Sequence, residues 1–79
     1  MNLQHKALRG ELKKLDKITA LKILDALLCE DECRAIYYND IEARDQFWIE
    51  EKFGYSVSAI KKYKHSGYAK LVAYFSPDA

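Results

Sequence analysis

The sequence predicts an all-α fold: a compact four- to five-helix domain over residues 1–79, containing a helix-turn-helix at residues 45–65. Three observations carry this. Nearly half the residues (49%) are apolar and there is one proline, which favours a helical globule over a disordered chain. Apolar side chains recur at helical spacing along most of the length. Gly54 and Ser56, two residues apart, offer a left-handed turn followed by a helix cap. With no Pro/Gly/Ser-rich linker and no internal repeat, 79 residues make one unit, near the size at which a single apolar core suffices without metal or disulfide.

Leu8, Leu12 and Leu15 predict a first helix over about residues 3–15, weakened modestly by Gly10. Asp16 caps a second, which carries Ile18, Leu21, Leu24, Leu27 and Leu28 into the core; periodicity alone leaves open whether the two are continuous. The acids Glu30, Asp31 and Glu32 suit a helix N-terminus, and the third helix they begin buries Cys33, Ile36, Tyr37 and Ile41. Next come 45–53, capped by Asp45, and 56–65, capped by Ser56. Gly67 either ends that last helix or is tolerated within it. Tyr68, Leu71, Val72 and Phe75 continue at helical spacing to Ser76-Pro77, and this final part is expected to pack back on the first helices.

Within the pair at 45–65, Ile49, Phe53, Tyr55, Ile60 and Tyr63 fall where two steeply crossing helices bury side chains against each other. Any αα-hairpin with a glycine turn would show that spacing. What favours DNA is its conjunction with a small capping serine, a buried aliphatic six residues after the glycine and lysines one turn into the second helix. The outward face then holds Ser56, Val57, Ser58, Lys61, Lys62 and His65, a small polar and basic surface fitted to a major groove. Glu50 occupies a position where close helix approach favours a small residue, so its stem must lean out to solvent. Adjacent Phe47 and Trp48 must point in different directions, one inward and one near the surface, and most of the tyrosines read as core or boundary residues.

The net charge of +1 hides three blocks: residues 1–24 carry +4, 25–51 carry −7 and 52–79 carry +4. Such a pattern confines phosphate attraction to the terminal thirds while the middle repels it. The bland alternative is that the blocks neutralise each other inside the fold.

Cys29 and Cys33 lie one helical turn apart, but two thiols do not complete a tetrahedral metal site, and His5 and His65 are far off in sequence. They read as small, partly buried hydrophobes in a reducing cytoplasm, with no metal and no cofactor. No nucleophile–base arrangement or glycine-rich phosphate loop has supporting spacing, so an enzyme is not expected. No apolar run approaches the about 18 residues of a membrane span, and the N-terminus lacks the apolar stretch of a signal peptide, giving the expectation of a cytoplasmic protein without a membrane partner.

From Asp31-Glu-Cys-Arg-Ala-Ile-Tyr-Tyr through Phe47-Trp-Ile-Glu-Glu-Lys-Phe-Gly-Tyr-Ser-Val-Ser-Ala-Ile-Lys-Lys-Tyr to Lys70-Leu71, the chain resembles region 4 of sigma-70 factors and the small phage regulators that share it. The resemblance spans about residues 21–75. It implies a transcription regulator whose second helix enters the major groove of double-stranded DNA, with Ser56, Ser58, Lys61, Lys62 and His65 facing the bases and Lys64 or Lys70 near phosphates. It also implies contact with RNA polymerase. One such helix reads few base pairs, so a homodimer or a protein partner is expected to supply the remaining affinity. The competing expectation is a protein-binding module or inhibitor, acting as an acidic DNA mimic through Glu30, Asp31, Glu32, Asp40, Glu42, Asp45, Glu50 and Glu51.

Overall fold

In the computed structural model, which describes residues 3–75, five α-helices follow one another: α1 (Leu3–Lys14), α2 (Lys17–Leu27), α3 (Glu30–Ile36), α4 (Gln46–Phe53) and α5 (Val57–Phe75). The described residues form an all-α fold without strands. Asp16 separates α1 from α2: its carboxylate accepts from the Thr19 amide at 2.8 Å and the Thr19 hydroxyl at 2.9 Å, which satisfies an amide the first turn leaves unpaired. Ser76-Pro77, expected to close the chain, lies outside the described residues.

Helix α3 does not stop at Ile36 but loosens into a π-helical turn, Tyr37–Ile41, with the Glu42 amide donating to the Tyr37 carbonyl at 2.8 Å. The extra residue per turn rotates the chain and points Asp40 inward, where it is buried. Ala43 then takes a left-handed φ of 58°. The Asn39 amide closes this bend by donating to the Arg44 carbonyl at 2.8 Å. The sequence contains no glycine here and gave no sign of the reversal.

Two apolar clusters meet along α3. Leu12, Leu24, Leu28, Cys33, Ile36, Tyr37, Tyr68 and Leu71 form the larger, joining α1, α2, α3 and the distal half of α5. Ala35, Ile49 and Ile60 form the smaller, ringed by Tyr38, Trp48, Phe53, Tyr55 and Tyr63, and it fixes α4 against α3 and the proximal half of α5. Each fully buried aliphatic contributes about 1.5–3 kcal/mol. The distal half of α5 does pack on α1, as expected. Trp48 turns inward and Phe47 outward.

Ile18 and Leu21 correct the sequence reading. Both were expected in the core, yet they are 68% and 40% exposed, because Ala20, Leu24 and Leu28 supply the face of α2 that meets the rest of the domain. An apolar stripe too wide for the surface it meets leaves its edge in water.

Gly67 neither ends α5 nor is merely tolerated. A Cβ there would stand 2.6 Å from Ile36 Cδ1 and 3.4 Å from Glu32 Cβ and Leu28 Cδ1. The missing side chain is what lets α5 pass close to α3, at the cost of about 1 kcal/mol in helix propensity.

Candidate nucleic-acid interface

The turn between α4 and α5 is three residues long, Gly54-Tyr55-Ser56, and each end is fixed by a specific hydrogen bond. The Asp45 carboxylate accepts from the Trp48 amide at 2.8 Å and starts α4. Gly54 ends it at a φ of 74°, a conformation that costs a glycine nothing, and its amide donates to the Glu50 carbonyl at 2.8 Å. Ser56 Oγ accepts from the Ala59 amide at 3.1 Å and starts α5. Ile60, fully buried, holds the first turns of α5 against Ile49 and Ala35.

This anchoring leaves an outward face on α5. Ser56, Val57, Ser58, Lys61, Lys62 and His65 are all exposed. Lys61 and Lys62 enter no ion pair among the described residues. Glu50 is half-buried at the α4–α5 junction, with Glu51 and Lys52 exposed beside it.

Tyr55 ties the turn to α3: its hydroxyl donates to Asp31 Oδ1 and accepts from the Arg34 guanidinium at 3.5 Å. Arg34 also lies over the Phe53 ring at 4.8 Å and pairs with Glu30. Burial, then the bond to Asp31, pushes the Tyr55 hydroxyl above its ordinary value. The turn is therefore braced against α3.

Lys64 and Lys70, expected beside phosphates, each pair with a carboxylate of the fold, Lys64 largely buried and Lys70 with its side chain 49% exposed. Lys64 Nζ donates to Asn39 Oδ1 at 2.7 Å and Asp40 Oδ1 at 2.9 Å, and its side chain is only 17% exposed. Lys70 Nζ donates to Glu32 Oε1 at 2.8 Å. The reason is the burial of both carboxylates, which need a counter-charge once out of water. Ser66 Oγ donates to the second oxygen of Glu32, and the Tyr68 hydroxyl to the second oxygen of Asp40. Alternate residues of α5 thus stitch it to α3 and the π turn.

Those contacts also diminish the acidic surface. Glu32 and Asp40 are buried, Asp31 is held by Tyr55, Asp45 is a cap, and Glu42 accepts from the Tyr37 hydroxyl at 2.9 Å and from Lys17 at 3.4 Å. Part of the −7 segment is neutralised inside the fold, but by Lys64 and Lys70 among others, so the same pairs reduce the basic block and leave Lys61 and Lys62 as the lysines of α5 outside any ion pair among the described residues.

Glu32 makes the domain acid-sensitive. Burial alone would raise its pKa, but hydrogen bonds from Lys70, Ser66 and Cys29 outweigh it and hold the carboxyl at about 2, against 4.5 ordinarily. A depressed folded value means stability that is fully present above about pH 4.5 and lost as pH falls through about 2. Glu32→Gln is therefore expected to cost on the order of 3 kcal/mol near neutrality and almost nothing near pH 2. Urea unfolding across that range measures the convergence; a constant gap would refute it.

The sequence set His5 and His65 apart. Their rings stand 5.2 Å from each other, with His5 also stacked on Tyr68 at 5.7 Å. His5 is buried, and that burial, followed by the charges of His65 and the amino terminus, lowers its pKa. Cys33 is a buried hydrophobe whose thiol is pushed up by burial, while Cys29 is exposed. Among the described residues no group of three potential ligands could hold a metal, and no helix is long and apolar enough to cross a membrane. Comparisons with known protein families, curated proteins and solved structures find no match.

Proposed function

We propose that this chain is a DNA-binding transcription regulator of the sigma region 4 kind, phage or mobile-element encoded, that lays the first half of α5 in the major groove. The observation that carries the reading is the division of labour among the lysines of α5. Lys64 and Lys70 serve the fold, whereas Lys61 and Lys62 stand exposed and unpaired among the described residues on a helix rigidly presented by a braced glycine turn. Ser56, Val57 and Ser58 at its N-terminal end are small enough for close approach to base edges. Lys61, Lys62 and His65 flank them with donors for phosphates and base acceptors. So few contacts from one copy imply modest affinity, which a second copy or RNA polymerase would supplement.

Lys61→Ala with Lys62→Ala is expected to weaken duplex binding and reduce the slope of log affinity against log salt by roughly 1.8, the value for two phosphate contacts. Fluorescence anisotropy on duplex DNA at several salt concentrations measures both. Unaltered affinity and slope in the double variant would remove α5 from the interface.

A further inference from the structure

Helix α2 turns an apolar edge to water: Ile18 is 68% exposed and Leu21 40%, while Ala20, Leu24 and Leu28 complete its buried face. Lys22 and Asp25 lie on the same strip, because Ile18 and Leu21 are three residues apart and the pairs Ile18–Lys22 and Leu21–Asp25 are each four apart. Both charges are exposed, and neither enters an ion pair among the described residues. Beside the strip runs a cleft of about 270 Å³, whose lining includes Leu21 and Asp25 of α2, Tyr37 and Tyr38 of the π turn and Phe53 of α4. One surface therefore carries an exposed aliphatic side chain, an aromatic cleft able to cover one, and one charge of each sign.

We propose that this strip is a self-association surface, on which two copies of the chain pack α2 against α2 about a two-fold axis. Charge complementarity selects the second copy and its direction. With the helices antiparallel, Lys22 of each copy lies beside Asp25 of the other, so a single complementary pair is made twice. Ile18, one turn before Lys22, then falls past Asp25 of the second copy, over its cleft. A parallel arrangement would instead set Lys22 against Lys22 and Asp25 against Asp25, and like charges repel. The strip supplies both halves of the match, so a second copy covers it without any further feature. One helix face per copy belongs to the small class of interface, below about 1,200 Å² in total, so the association is weak and reversible.

Sedimentation equilibrium of the full chain without DNA, from about 10 μM to about 1 mM at fixed ionic strength, tests this. The apparent mass should rise from 9.2 kDa towards twice that value, with a dissociation constant on the order of 100 μM. Ile18→Glu, at a position already in water, should keep the chain monomeric with an unaltered circular dichroism spectrum. Lys22→Asp and Asp25→Lys each set like charges together twice and should weaken association about fivefold. A mixture of those two variants should recover it, because each then finds its complement on the other chain. Glu51→Lys, exposed on α4, changes the net charge as much as Asp25→Lys does and should leave association unaltered.

A chain that stays monomeric at about 1 mM overturns the proposal and leaves the strip to a different protein. Association that survives Ile18→Glu, or that falls as far in Glu51→Lys as in Asp25→Lys, overturns it as well. The proposal names the face at which a second copy joins the regulator but does not rest on DNA binding, since its measurement contains no duplex. If the chain dimerises through α2 while Lys61→Ala with Lys62→Ala leaves duplex binding unaltered, the surface stands and the groove assignment falls. If it remains monomeric while those lysine substitutions weaken duplex binding, the reverse holds.

Discussion

Replacing Asp40 by alanine is expected to cost about 3–5 kcal/mol of folding stability, the range for removing one partner of a buried ion pair. The loss has two parts. Lys64, whose side chain is 17% exposed, keeps its charge but retains only Asn39 as a partner. The Tyr68 hydroxyl, on a ring with no exposed surface, loses its acceptor. Burial, then the bond to Asp40, holds that hydroxyl far above its ordinary pKa, so it cannot escape by ionising. Because domains of this kind are stable by only about 5–15 kcal/mol, the variant should unfold at much lower urea, as followed by far-UV circular dichroism. Adding Lys64→Met should recover a substantial part, since an apolar side chain needs no counter-charge. A loss below about 1 kcal/mol in the single variant would place the pair among surface salt bridges of little consequence.

The second large effect is expected at Ile60. Ile60→Ala removes a fully buried side chain from the smaller cluster and should cost about 2–5 kcal/mol, through lost transfer free energy and the cavity left behind. Its functional consequence differs from that of Asp40→Ala. Asp40 secures the middle of α5 to the π turn, whereas Ile60 sets the angle at which the first turns of α5 leave the Gly54 bend. At temperatures where Ile60→Ala remains folded, duplex affinity should fall further than stability accounts for, because Lys61 and Lys62 follow Ile60 directly in the chain. Equal duplex affinity of folded Ile60→Ala and unaltered protein would show that this packing does not position the proposed interface.

Short-range grammar explains what could be read in the chain. Asp16, Asp45 and Ser56 cap helices because each carries an oxygen that reaches an amide three residues ahead, and Gly54 turns because it has no Cβ. Leu12, Leu24, Ile36, Ile49, Ile60 and Leu71 are in the core as helical spacing required. The same periodicity failed for Ile18 and Leu21, since it identifies an apolar stripe but not how much of it a neighbour will cover. It was also blind to the π turn, where no residue type announces the change of pitch.

Along the chain alone, four to five helical segments, the caps Asp16, Asp45 and Ser56, the glycine turn and an outward face bearing Lys61 and Lys62 are already legible. Each of these depends on residues within a turn or two of one another. Helix packing decided which charges remain for a partner, because Glu32 meets Lys70 across 38 positions and Asp40 meets Lys64 across 24. It also decided that Gly67 is the close-approach point of α5 on α3, and that His5 and His65 share a cleft. Pairings at such range follow from how helices pack, and an amino-acid pattern states what a side chain can bond but not what the fold will bring to it.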